Sequence, residues 1–448
     1  MAKMLSKKSY CFILLAVLTG SSGVISESWA QVTGQSRPSD QNRADQGVPP
    51  RGVTSTNPMA VPPVSVSPSN ENPMAAFAAA TNTEEQSRAE LMRGDAADQG
   101  NLVRYGHYLT RIGACEACHT PPVDISAIAN PLEVQQLRSN PDWTTYLDPL
   151  RRFAGGVPFI VRFTGQLSGV VVSRNLTPDS KTGLGNWTTA DIVRALKHGQ
   201  RPDGTNLFLF PPHTYYPNMA DLDAQAIAEY LKSLPAVEHV IQPRNLPFPV
   251  SAVPDDQVSK KRLPPTEPSL ERARYLTSAM VGCVECHSNR ANDGKLNAWV
   301  GGNPNSKVTG AFKLGPDLPL TQTERGLASW PYPGYAMLLA PNLTVYGQGG
   351  RAENASYRTI SRAIRQGIST FQDRYKRPVP LSHTMLWQFY SSMSDADILS
   401  IAMLLKSLPY QPGYEGNRII YLGDDWRNAF EFMYGEKPTD HDKEIFGK

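Results

Sequence analysis

The sequence predicts an all-α protein made of two small helical bundles in tandem. A Pro-rich linker joins them and a disordered N-terminal tether precedes them. Two observations predict this. A five-residue stretch occurs twice, as Cys115-Glu116-Ala117-Cys118-His119 and Cys283-Val284-Glu285-Cys286-His287. Around both copies the same landmarks return in the same order, the mark of a repeated structural unit.

Each five-residue stretch reads as a covalent haem c site. Two thiols three residues apart reach the two vinyl groups on one edge of a porphyrin and form thioethers. The His after the second Cys then lies under the macrocycle, where a ring nitrogen ligates the iron. Zinc needs four ligands, and each stretch offers three at most. A thioredoxin-type redox pair needs no His and sits in a βαβ context that is missing here. The expected cofactor is therefore two covalently bound haem c groups, held by Cys115, Cys118 and His119 and by Cys283, Cys286 and His287.

The repeat extends beyond these stretches. Tyr108-Leu109-Thr110 returns as Tyr275-Leu276-Thr277, Gly155-Gly156 as Gly301-Gly302, and Asn175-Leu176-Thr177 as Asn342-Leu343-Thr344. Arg194-Ala195-Leu196-Lys197-His198-Gly199 returns as Arg362-Ala363-Ile364-Arg365-Gln366-Gly367, and Leu231-Lys232-Ser233-Leu234-Pro235 as Leu405-Lys406-Ser407-Leu408-Pro409. The offset is 168 at the haem His and 174 at the closing Pro, so the second copy carries six extra residues, expected in the loop facing the iron.

In chain order, Lys3, Lys7 and Lys8 precede an apolar run from Cys11 to Leu18, and Ser28-Trp29-Ala30 closes the segment. This reads as a signal peptide over residues 1–30, with export to the periplasm; the apolar run is too short to span a bilayer. Of five Cys, Cys11 leaves with the signal and the other four lie in the two haem stretches. No thiol remains for a disulfide, so the exported chain must rely on a core built around haem. Residues 31–98, rich in Pro, Ser, Asn, Gln and Ala, read as a tether.

The first domain spans 99–235. Tyr105, Tyr108, Leu109 and Ile112 at helical spacing predict a helix from about Leu102 that leads into Cys115. A second helix runs from about Thr189 to Gly199, and a last one from Asp221 to Pro235. Residues 236–269 form the Pro-rich linker, 270–410 the second domain and 411–448 a C-terminal tail. In the tail Tyr421, Trp426, Phe430, Phe432 and Tyr434 could lay an aromatic strap over the second domain. Formal net charge is only +3, so nothing points to a nucleic-acid partner.

On these residues both halves resemble class I c-type cytochrome domains. The set resembles the cytochrome c subunit of bacterial membrane-bound alcohol and gluconate dehydrogenases. The resemblance rests on Ala154-Gly155-Gly156, Asn175-Leu176-Thr177-Pro178-Asp179, Thr182 to Thr188, Arg201-Pro202-Asp203-Gly204 and the Lys-Ser-Leu-Pro helix ends. The second half departs after Asn342-Leu343-Thr344, with Val345-Tyr346-Gly347 in place of Pro-Asp, and the chain has two haem stretches where those subunits usually have three.

The resemblance implies a Met thioether as second axial ligand, ten residues before the Asp that opens the last helix. Met385 stands there in the second half; Pro211 stands there in the first. Met219, the sole Met between His119 and Pro235, is favoured as the first haem's ligand, with His213 or an open site as alternatives. Met393, in the place matching Met219, reads as a core residue, given Met385. His198 reads as a surface residue and His107 as solvent-facing or near a haem propionate.

The expected function is electron transfer by an exported diheme c-type cytochrome, between a periplasmic or membrane-bound dehydrogenase and the respiratory chain. Partners are a dehydrogenase catalytic subunit, another cytochrome or a terminal oxidase, with membrane association through a partner. The rival is a diheme peroxidase-like enzyme with an open first haem, separable by a high-spin component in the visible spectrum.

Overall fold

The computed structural model describes residues 99–446 except 124–127, 129, 131, 133–142, 162–168, 209–214, 291–295, 302–310, 315–333, 339, 373–375, 377, 382–384, 414–418, 424, 426, 428–430 and 432–436. The expected signal at 1–30 and the expected tether at 31–98 lie outside these residues, as do Pro211, His213, Trp426, Phe430, Phe432 and Tyr434.

The described residues are helix-rich, with a few short strands and no barrel. Helix α1 spans Gln99–Ile112 and α2 spans Cys115–His119. Strands β1 (Pro158–Val161) and β2 (Gly169–Val172) pair antiparallel. Helix α3 (Thr189–His198) and helix α4 (Asp221–Ser233) follow. The second set repeats them: α5 (Leu270–Tyr275) continues into a π-helical turn, Leu276–Met280, before α6 (Cys283–Cys286). Strands β3 (Asn289–Arg290), β4 (Leu296–Asn297), β5 (Ala311–Leu314) and β6 (Gly334–Leu338) come next. Then come α7 (Tyr357–Gln366), β7 (Ile368–Gln372), β8 (Pro378–Pro380), α8 (Trp387–Tyr390), α9 (Asp395–Ser407), β9 (Ile419–Gly423) and α10 (Asp440–Phe446).

Local chemistry sets the helix ends. Thr188 and Asp191 form a reciprocal capping box at the start of α3, and Gly199 closes it at φ 66°. Ser356 caps α7 and Gly367 closes it at φ 62°. In α1, Leu102, Tyr105, Leu109 and Ile112 fall on one face and are buried. That face crosses α4 at Gly106, where a Cβ would run into the Ala226 carbonyl. The second crossing, α5 on α9, has buried Ala273 and Ser400 at the matching places.

The strands depart from the all-α expectation. Sequence periodicity in these loops is short and broken by Gly and Pro, so the pairings carried no helical or strand signal long enough to read. Strand β9 pairs with β6, which pairs with β5. The tail thus adds a strand, which includes Tyr421; the other four residues of the expected aromatic strap lie outside the described residues. Strands β7 and β8 form a hairpin, and Leu381 N–H closes onto Gly367 O at 2.6 Å. In the first set Leu207 N–H makes the same bond to Gly199 O, also 2.6 Å. The six extra residues therefore lie in the hairpin, upstream of Met385, and do not lengthen the segment that carries it. From these two Leu onward the halves run residue for residue, and Pro211 holds the place of Met385.

Residues 236–262 run over the first helical set. Asn245 bridges to Val170, Val253 N–H donates to His198 O, and Asp221 and Leu222 donate to Lys261 O and Arg262 O. One apolar core continues from the first set into the second, from Leu102 and Tyr105 through Met280 to Leu405.

Two crossed hydrogen-bond pairs join the sets. Tyr108 Oη donates to Asp397 Oδ2 at 2.6 Å and accepts from Ser394 N–H at 3.1 Å. Tyr275 Oη donates to Asp223 Oδ2 at 2.7 Å and accepts from Ala220 N–H at 2.9 Å. Each first helix thus grips the start of the other set's last helix. The two Asp are wholly buried and supported differently: Tyr105 Oη donates to Asp223 at 2.8 Å, whereas Arg272 holds Asp397 with two bonds of 2.8 Å.

Candidate haem sites

Each Cys-x-x-Cys-His stretch begins after a left-handed residue, Ala114 at φ 52° and Gly282 at φ 64°. That turn breaks the preceding helix and redirects the chain into a short helix. One helical turn then sets Cys115 near Cys118, and Cys283 near Cys286, on one side. None of these four cysteines is in a disulfide. Burial pushes the Cys115, Cys118 and Cys283 thiols up to about 12, the mark of sulfurs set in an apolar wall, which suits an uncharged thioether. Glu116, buried between the two thiols of the first stretch, is paired with Arg152 and Arg111.

The imidazoles are oriented alike. His119 Nδ1 lies 2.8 Å from Arg174 O, and His287 Nδ1 lies 2.9 Å from Pro341 O. With Nδ1–H donating to a carbonyl, Nε2 keeps its lone pair for a metal. Burial lowers the His119 pKa and holds the ring in its neutral, ligating form.

The Asn-Leu-Thr repeat explains why those carbonyls are where they are. It begins one residue after each of them. Asn175 Oδ1 accepts from Thr177 N–H at 3.0 Å, and Asn175 Nδ2 donates to Val237 O at 2.8 Å. Val237 N–H returns to Thr177 Oγ1 at 3.1 Å. In the second set Asn342 Oδ1 accepts from Thr344 N–H at 2.9 Å, Asn342 Nδ2 donates to Gln411 O at 2.8 Å, and Gln411 N–H returns to Thr344 Oγ1 at 3.1 Å. Both motifs tie the chain just past Lys-Ser-Leu-Pro to the segment that orients the His.

The repeated Gly closes the same ring from the other side. Gly155 N–H donates to His119 O at 2.7 Å and Gly301 N–H to His287 O at 2.9 Å. At φ 71° and 83° these positions favour glycine, and a Cβ would come within 2.5 Å of Arg174 C or 2.6 Å of Asn342 N.

Met385 is half-buried against the core. Beside it Trp387 Nε1 and the Gln388 amide are buried without a protein partner, donors that suit a bound group with carboxylates. Met393 is 2% exposed and sits in the core, as read from the sequence; Met219 is 0% exposed at the matching place, just before α4. His107 packs its ring on Tyr230, with centroids 5.1 Å apart. His198 Nδ1 lies 3.2 Å from Asp255 Oδ1, with its side chain 20% exposed. Among the described residues, no three or more His, Cys, Asp or Glu stand together as a metal site. No described helix is long and apolar enough to cross a membrane.

The sequence reading missed the two crossed tyrosines. Tyr108 and Tyr275 were visible as a repeated Tyr-Leu-Thr, but their partners lie in the other half of the chain.

No protein-family model matches the chain. A diheme cytochrome c-type protein of Cereibacter sphaeroides is 30% identical over 157 residues, covering 32% of this chain and 52% of that protein. The cytochrome c subunit of gluconate 2-dehydrogenase from Pantoea cypripedii is 27% identical over 210 residues, 44% of this chain and 40% of that protein. The cytochrome c subunit of quinone alcohol dehydrogenase from Gluconacetobacter polyoxogenes is 26% identical over 335 residues, 70% of this chain and 58% of that protein. The chain spans about half the length of the relatives it matches. It is similar to diheme c-type cytochromes and to the cytochrome c subunits of dehydrogenases, and it carries two covalently bound haem c groups.

Proposed function

We propose that this chain transfers electrons as an exported diheme cytochrome, taking them from a periplasmic or membrane-bound dehydrogenase and passing them toward the respiratory chain. In this reading residues 99–235 and 270–410 are two cytochrome c domains joined by the linker 236–269. Cys115, Cys118 and His119 hold the first haem, and Cys283, Cys286 and His287 the second. The observation that carries the reading is the doubled His arrangement: two stretches, each with a carbonyl fixing Nδ1 of its His. Bound haem supplies the one-electron couple. The chain's own groups supply a neutral imidazole, a locked ring orientation and a dry wall.

Met385 is the proposed sixth ligand at the second haem, since Leu381 and Leu207 align the two loops and leave it the family position. Met219 is the proposed ligand at the first. Its burial in the place of Met393 gives it a packing role as well, so Met219→Ala must be read by the haem spectrum and not by stability.

Purifying the full chain from the exported fraction tests the proposal. Mass spectrometry should give a chain starting at Gln31 with two added haems, and a dehydrogenase subunit should co-purify with it. A chain carrying one haem or none contradicts the reading.

A further inference from the structure

Three arginines beside the first Cys-x-x-Cys-His stretch stand together, and among the described residues none of them is in an ion pair; the nearest acid, the exposed Asp203, turns its carboxylate to Thr205. Arg201 Nη1 donates to Asn206 O at 3.4 Å, and Arg244 Nη1 donates to the same oxygen. Two like charges thus share one carbonyl. Arg174 Nη1 donates to Gln242 O at 3.5 Å. Burial lowers the pKa of Arg201, the Arg174 and Arg244 charges lower it further, and the Asp203 charge offsets them only in part. Like-charged groups that are half-buried and face each other cost stability unless an anion joins them.

The place of the cluster identifies the anion. The Arg174 carbonyl is the one that takes the His119 N–H. Phe208 and Leu246, each two residues from a cluster member or its shared carbonyl, pack with Cys118 around Phe159. The cations therefore border the group that Cys118 and His119 hold. The second half has Pro341 and Ser369 at the places of Arg174 and Arg201.

We propose that Arg174, Arg201 and Arg244 form a carboxylate seat for the two propionates of the first haem. This rests on the haem reading above. The guanidiniums bind carboxylates with paired, charge-assisted hydrogen bonds. Cations beside the haem disfavour the more positive, oxidised iron. The seat therefore raises the first haem's potential and keeps its propionates ionised.

The test is potentiometric titration, between pH 5 and 8, of the full holo-protein and its Arg201→Gln and Arg244→Gln variants. Haem content is checked by mass. The expected result is two haems in each protein, with the first haem's potential lowered and newly pH-dependent in the variants and the second haem's unmoved. A milder Arg201→Lys change, which keeps the charge but loses the paired geometry, should give a smaller shift in the same direction. Two haems with unchanged potentials overturn the seat. If, in addition, polyglutamate binds the unmutated protein at low salt and not Arg201→Gln, the seat serves the carboxylates of an external surface. Absence of haem in the unmutated protein would instead overturn the haem reading itself.

Discussion

The two halves share the parts that orient the haem His and differ in the parts that surround it. The carbonyl on Nδ1, the Asn-Leu-Thr tie and the close-approach Gly recur with distances within about 0.2 Å of one another. What varies is charge and ligand supply. Asp223 is held by two tyrosines and Asp397 by Arg272 and a tyrosine. Pro211 stands at the place of Met385, and Pro341 and Ser369 stand at the places of Arg174 and Arg201. Holding the iron allows one solution, while tuning it allows many.

The largest expected stability effect breaks that comparison at Asp397. Replacing Arg272 with Met leaves a buried carboxylate without its cation, and should cost about 3–5 kcal/mol in denaturant unfolding of the holo-protein. The counterpart change, Tyr105→Phe, removes one neutral donor from Asp223 and should cost about 1–3 kcal/mol. Equal costs would mean that the two buried Asp are supported alike.

Next come the ligands, read by spectrum. Met385→Ala should abolish the long-wavelength Met–iron charge-transfer band of one haem and lower its potential, while Met393→Ala leaves both intact. Met219→Ala should do the same to the other haem. An unchanged first-haem spectrum in that variant removes Met219 as a ligand.

Much of this was legible in the sequence because it is local. The haem stretches and the helices α1, α3 and α4 follow from spacing within a few residues, whereas the place of Met385 as a ligand is what the resemblance to c-type cytochromes implies. Where the extra six residues fall was not legible: only the paired bonds from Leu207 and Leu381 show that they are spent in the β7–β8 hairpin. Nor was the joint between the halves. Tyr108 and Asp397 are 289 residues apart and look, in sequence, like a helix-face aromatic and a first-turn acid. The arginine seat was hidden for the same reason, since Arg174, Arg201 and Arg244 sit on three separate segments.

Smaller effects sharpen the comparison at the joint. Tyr108→Phe and Tyr275→Phe each remove a buried donor from an Asp in the other half, and each should cost about 1–3 kcal/mol. A cost near zero for both would mean that the crossed bonds do not hold the sets together. The smallest effect lies at the turn before each haem stretch. Ala114→Gly should stabilise the protein by roughly 0.5 kcal/mol, since φ 52° strains a Cβ, and Gly282→Ala should cost about 1 kcal/mol.

Redox titration of the full holo-protein beside its Met385→Ala variant tests the central claim most directly. Two haem halves with a shared frame and different surroundings predict two one-electron waves at separate potentials, of which Met385→Ala moves only one. A single wave in the unmutated protein, or a shift of both waves together in the variant, would contradict the account.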